Sequence, residues 1–129
     1  MRNIVQVEPV LRLRAGPNDA NKSGDIFGGW LMAQIDIAGA IVAVKTTQGP
    51  VATVSVQALN FLKPLYINDL VSLYVHTTKI GHTSITVEVN VFAERLLTNE
   101  ADQAKFKAAE ATLVYVAVTK PGEKRIIPK

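Results

Sequence analysis

The sequence predicts an α+β domain of residues 1–129 in which one long helix is wrapped by a strongly curved antiparallel sheet of about five strands. Three observations predict it. Residues 28–45 form a proline-free run whose apolar side chains occupy every face of a helix, as in a helix enclosed by other structure. Four long segments rich in Val, Ile, Thr and Tyr follow that run. No internal repeat or compositional break marks a second domain, and 129 residues are enough for one core.

The elements follow in order. Residues 8–14 alternate well enough for a first strand, and residues 15–25 (AGPNDANKSGD) make a loop by their density of Gly, Pro, Asn, Asp and Ser. Gly28 and Gly29 open the helix, which Gln48, Gly49 and Pro50 close. Strands are expected over residues 51–62, 70–80, 83–97 and 108–119. Ile80, Gly81 and His82 make a tight hairpin, whereas residues 63–69 and 98–107 make wider loops.

Composition narrows the function. With 48% hydrophobic and 19% charged residues the chain is not a disordered tail. The absence of cysteine excludes a disulfide framework, a thiol nucleophile and a thiolate metal site. The opening MRNIVQVEPV lacks the pattern of a secretory leader, so a cytoplasmic location is expected. Residues 26–44 are long enough to span a bilayer but carry Gln34 and Asp36 at their middle. A mid-bilayer Asp costs about 2.5–3.5 kcal/mol, so no membrane span is expected. His76 and His82 form no metal-ligand spacing with an acidic residue, and no metal site is expected. Ser23, Ser55, Ser72 and Ser84 lie in no Gly-x-Ser-x-Gly elbow. No helix-turn-helix segment suggests a nucleic-acid partner.

Four segments carry a resemblance: NKSGDIFGGWLMAQIDIAGA (21–40), VSVQALNFLKP (54–64), GHTS (81–84) and the final RIIPK (125–129). Together they resemble the hot-dog acyl-CoA thioesterases, specifically the YciA type and the related brain acyl-CoA hydrolases. The resemblance implies cleavage of acyl-CoA to a free acid and CoA with no cofactor, coenzyme A being part of the substrate. It matches the family's helix acid to Asp36, its loop asparagine to Asn21 and its glycine pair to Gly28 and Gly29. It also implies active sites between subunits, in dimers that associate further into hexamers.

The chemistry is consistent with these residues. Thioester hydrolysis passes through an oxyanion that fixed donors must stabilise, and the free amides at a helix N-terminus supply them. A glycine pair there lets a carbonyl approach the backbone closely. An aspartate among apolar residues should lose hydration and become basic enough to activate water, and attack by its carboxylate to give a mixed anhydride fits equally well. Asp36 lies seven residues beyond Gly29, so at ~1.5 Å per residue it is about 10 Å along the helix from those amides. One carbonyl does not easily touch both. A two-fold dimer, with Asn21 and the Gly28-Gly29 end from one subunit and Asp36 from the other, resolves the spacing.

The remaining candidates bind substrate. Trp30 would line the core or the acyl channel, Gln57 would face the site, and Asn60 belongs to the Asn-Phe-x-x-Pro turn after the first long strand. Lys63, Lys79, Lys124 and Arg125 suit the CoA phosphates, and the hairpin of Gly81, His82, Thr83 and Ser84 offers backbone and hydroxyl donors. Lys22, Ser23 and Gln57 depart from the closest pattern and leave acyl preference open. A non-enzymatic acyl-CoA sensor of the same fold is the alternative function. A hydroxyacyl dehydratase would need a histidine near Asp36, and the pattern places none there.

Overall fold

The computed structural model of the chain describes residues 8–96 and 105–129. Strand β1 (Leu11–Arg14) is followed by a short 3-10 turn (Pro17–Asp19), helix α1 (Gly28–Thr47), and strands β2 (Val51–Phe61), β3 (Leu70–Ile80), β4 (Ser84–Glu94), β5 (Lys105–Lys120) and β6 (Glu123–Lys124). The sheet order is β1-β3-β4-β5-β2 with every pairing antiparallel, and β6 pairs with the end of β5. The expected helix and curved sheet are present. The sheet gains one short strand, β6, whose two residues carry no periodic signal.

Alternation along the strands places the core. On β4, Ile85, Val87, Val89, Val91 and Ala93 are buried while their sequence neighbours face the other way. Val71 and Leu73 of β3, with Ala109, Ala111 and Leu113 of β5, continue that apolar surface. Ala108 is the extra residue of a β-bulge opposite Val91 and Phe92, so it and Ala109 are both buried. The strand thus begins at Lys105, inside the stretch expected to be loop; the rest of that loop lies outside the described residues, as does Leu97 of the expected third long strand.

The helix meets this surface along Leu31, Ile35, Ala38, Gly39, Ala43 and Thr47, positions spaced to share one face. Its opposite face corrects the expectation of an enclosed helix: Ile37 and Val44 are 48% and 42% exposed. The sheet of one chain curves over one side only. By length and composition α1 also matches a bilayer span, but its buried stripe is packed on the sheet.

Both ends of α1 have identifiable causes. Gln48 adopts the left-handed conformation at the C-terminus (φ 60°), and its N–H returns to the Val44 carbonyl. Arg125 then donates to the Thr47 carbonyl (2.8 Å), the Thr47 hydroxyl (3.1 Å), the Pro50 carbonyl (3.1 Å) and the Val118 carbonyl (2.9 Å), tying the C-terminal tail to the helix end. At the other end, the bridge Ala20↔Ile26 closes the Asn21 loop on itself, and the loop is stitched to the turn between β2 and β3 by the bridge Asp25↔Tyr66 and by Ile26 N–H to Leu65 carbonyl (2.9 Å). That turn is held by buried Asp69, which accepts from Tyr66 N–H (2.8 Å) and pairs with Arg95 (3.3 Å). The Arg95 guanidinium also stacks on the Tyr66 and Phe106 rings.

Candidate active site

Asp36 sits in the third turn of α1, half-buried at the side of the helix that faces β2 and β5. Its Oδ1 accepts from Thr53 Oγ1 on β2 (2.8 Å) and lies 3.0 Å from the Tyr115 hydroxyl on β5. The same Tyr115 hydroxyl is 2.7 Å from the Asp36 carbonyl oxygen. Two elements distant in sequence therefore grip one carboxylate. Only Oδ1 is held: among the described residues no hydrogen bond reaches Oδ2.

Gly28 and Gly29 are the first residues of the helix, after Phe27, which gives no side-chain cap. Trp30 and Leu31 N–H return to the Phe27 carbonyl (3.1 and 3.3 Å), so the first free amides are those of the two glycines, both exposed. A Cβ on Gly28 would touch the Phe61 ring at 3.5 Å. A Cβ on Gly29 would meet nothing within 4 Å, so helix packing inside one chain does not account for that glycine. Asn21 opens a turn closed by Gly24 N–H to its carbonyl (3.1 Å), with Gly24 at φ +90°, and its Oδ1 accepts from Ser23 N–H (2.9 Å). The Asn21 side chain thus has a turn role through its oxygen, while its NH2 group has no partner among the described residues.

The other expected contacts separate into groups. Gly28 and Lys63 border a cavity of about 260 Å3 with Ile26, Phe27, Leu31, Phe61 and Leu65. Trp30 is half-buried against the core. Gln57 is exposed on β2 beside a bulge where Ala58 takes φ 49°. Asn60 donates to the Ala58 carbonyl (3.2 Å) and to Glu110 (3.3 Å). Lys107, bound to Glu110 at 2.7 Å, holds that carboxyl below its ordinary range.

Gly81, His82, Thr83 and Ser84 lie at the far end of the molecule. Gly81 N–H donates to the Ser84 carbonyl (2.8 Å), and Gly81 and His82 border a cavity of about 520 Å3 with Gln48 and Ile126 beside the helix C-terminus. Arg125 is close by in sequence, but four of its five N–H donors are already committed within the chain. One chain therefore brings Asp36 to the middle of a helix of ~30 Å, with Asn21 and the glycines at one end and the Gly81 hairpin at the other. Thr53 and Tyr115 went unnoticed in the sequence. A threonine and a tyrosine in β-rich segments are ordinary strand residues, and only the β2-β5 pairing places both beside α1.

The comparisons with known proteins decide the family. Residues 23–98 match the family model described as "Thioesterase superfamily". The acyl-CoA thioester hydrolase YciA of Salmonella typhimurium is 44% identical over 128 residues, covering 99% of this chain and 96% of the relative. The chain belongs to the YciA-type acyl-CoA thioester hydrolases. Among solved structures, the hexameric thioesterase of Yersinia pestis shares this hydrolase's fold with a TM-score of 0.87 and 42% identity, covering 98% of this chain and all of that one. The acyl-CoA hydrolase of Staphylococcus aureus, solved with butyryl coenzyme A and coenzyme A, gives a TM-score of 0.80 at 29% identity, covering 92% of this chain and 70% of that one. That enzyme has been solved with an asparagine, an aspartate or a threonine replaced by alanine, three residues spaced along its chain as Asn21, Asp36 and Thr53 are along this hydrolase. No group of three His, Asp or Glu side chains suited to a metal occurs among the described residues.

Proposed function

We propose that this acyl-CoA thioester hydrolase cleaves its substrate between two copies of the chain, with Asp36 of one as the reacting carboxylate and Asn21, Gly28 and Gly29 of the other polarising the thioester carbonyl. The observation that carries this reading is the one-sided grip on Asp36. Thr53 and Tyr115 hold Oδ1, which leaves Oδ2 to take a proton from water or to attack the carbonyl carbon. The free glycine amides that would stabilise the oxyanion lie about 10 Å away along the same helix, a span set by the rise per residue.

A second copy is supported by the surface. Ile37 and Val44 expose one side of α1, and β2 pairs on one edge only while exposing Val54, Val56 and Phe61. An antiparallel copy on this face would bring its helix N-terminus toward Asp36 and its Gly81 hairpin toward the cavity beside Gly28 and Lys63. The CoA would then extend past Lys63, with the hairpin of Gly81, His82, Thr83 and Ser84 contributing donors and Gln57, Asn60 and Trp30 lying along the acyl path. We propose a dimer that assembles further into a hexamer, the Yersinia pestis relative being hexameric, and a cytoplasmic location. Arg125 serves the helix end and takes no phosphate in this scheme.

The test is release of free thiol from a panel of acyl-CoAs by the wild type and by Asp36→Ala. Turnover should fall at least about a hundredfold, the effect of removing a general base. Unchanged turnover in folded Asp36→Ala overturns the assignment. A single turnover in heavy-oxygen water identifies the anhydride route when the product acid is unlabelled and the heavy oxygen is found on Asp36, because water has then opened the anhydride at the aspartyl carbon.

A further inference from the structure

We infer that Tyr115 is a positioning residue for Asp36, and that Gly39 is glycine because its missing side chain is the space the Tyr115 hydroxyl occupies. This rests on the reading of Asp36 as the reacting carboxylate.

Tyr115 is fully buried under α1, yet among the described residues its polar end has only Asp36 to bond: the carbonyl oxygen at 2.7 Å and Oδ1 at 3.0 Å. A hydroxyl owns one proton and can donate to one acceptor at a time. While Asp36 is charged, Oδ1 is the stronger acceptor, and a bond there is charge-assisted. Once the carboxylate has taken a proton, the Tyr115 proton can rotate to the carbonyl oxygen without leaving either partner in the core unsatisfied. The hydroxyl can thus orient the carboxylate before reaction and release it afterwards. A phenylalanine would fill the same space but offer neither bond.

Gly39 makes this geometry possible. It lies one turn beyond Asp36 on the buried face of α1, and a Cβ built there would collide with the Tyr115 hydroxyl and stand 3.1 Å from the Cζ and Cε1 atoms of its ring. A mid-helix glycine costs about 0.5–1 kcal/mol relative to alanine, so its presence needs a reason, and the phenol is the side chain found in that space. Tyr115 does not itself act as the acid or base. Burial first, and then the charge and hydrogen bond of Asp36, push its phenol far above the ordinary value, so it stays a neutral donor. The groups facing Asp36 are few: β2 presents the Thr53 hydroxyl, β5 presents Tyr115, β3 and β4 turn aliphatic side chains to the helix, and the other charge on α1 is Lys45 near its end.

The experiment measures kcat and KM for wild type, Tyr115→Phe, Gly39→Ala and Asp36→Ala, with thermal midpoints. Loss of one hydrogen bond to a charged group predicts a kcat for Tyr115→Phe lower by about tenfold to hundredfold, with KM within about twofold. Gly39→Ala, which keeps the hydroxyl but displaces it, should lower kcat in the same direction. Folded Tyr115→Phe with kcat within twofold of wild type, while Asp36→Ala is inactive, overturns the role of Tyr115 and leaves that of Asp36 standing. Full turnover by Asp36→Ala removes both. A loss in Tyr115→Phe that appears in KM and the thermal midpoint, with kcat unchanged, assigns Tyr115 to the fold alone and also overturns the proposal.

Discussion

Thr53 Oγ1 stands 2.8 Å from Asp36 Oδ1, so the free-edged strand β2 and the middle of α1 meet at a single hydrogen bond. Thr53→Val keeps the branched shape and removes the donor. We expect kcat to fall about tenfold or more, the effect of losing one hydrogen bond to a carboxylate, with Thr53→Ser recovering most of it. Steady-state kinetics on a good acyl-CoA substrate check this, and equal rates in the Val and Ser variants refute it.

Gly29 separates stability from activity. A methyl group there meets nothing within 4 Å in the chain and improves helix propensity, so Gly29→Ala should leave the thermal midpoint unchanged or raise it slightly. Activity should nevertheless drop at least tenfold if the carbonyl must approach those amides, since lost oxyanion donors cost about a hundredfold or more. A variant both stable and fully active would free this glycine from catalysis.

The exposed apolar side of α1 predicts dependence on assembly. Ile37→Glu and Val54→Lys each place a charge on surface that is 48% and 56% exposed in one chain, so the monomer fold should tolerate them. Sedimentation should show smaller species, and turnover should disappear with the dimer, because each site needs two helices. Active monomers would rule out the shared site.

Arg125 yields a stability prediction. Its four bonds join the Thr47 carbonyl and hydroxyl at the helix end to the Pro50 and Val118 carbonyls and anchor the tail, so Arg125→Met should destabilise the protein by about 2–3 kcal/mol, judged by chemical denaturation. Amide exchange at Gln48 and Gly49 should quicken. Arg125→Lys should recover little, since an ammonium cannot reproduce the planar fork.

Several features were legible before any coordinates. The run from Gly28 is long, apolar and free of proline and ends at a stop signal, so α1 was readable to within two residues of its end, and β3 over residues 70–80 agrees throughout. The motif around Asn21, the glycine pair and Asp36 named the family. β6 and the early start of β5 were not legible, because a two-residue strand has no period and a bulge at Ala108 breaks the alternation. Arg125 was read as a phosphate ligand because a free guanidinium and a capped one are the same letter in a sequence.

The sequence by itself determined the helix, the long strands and the family, since each depends on residue order and residue type along the chain. Only the tertiary structure decided which oxygen of Asp36 is held, and by what. Thr53 and Tyr115 lie 17 and 79 residues away along the chain, and it is the antiparallel pairing of β2 with β5 under α1 that brings them to it. The same packing left one side of the helix bare, because a sheet of this length curves over one face and leaves the other exposed.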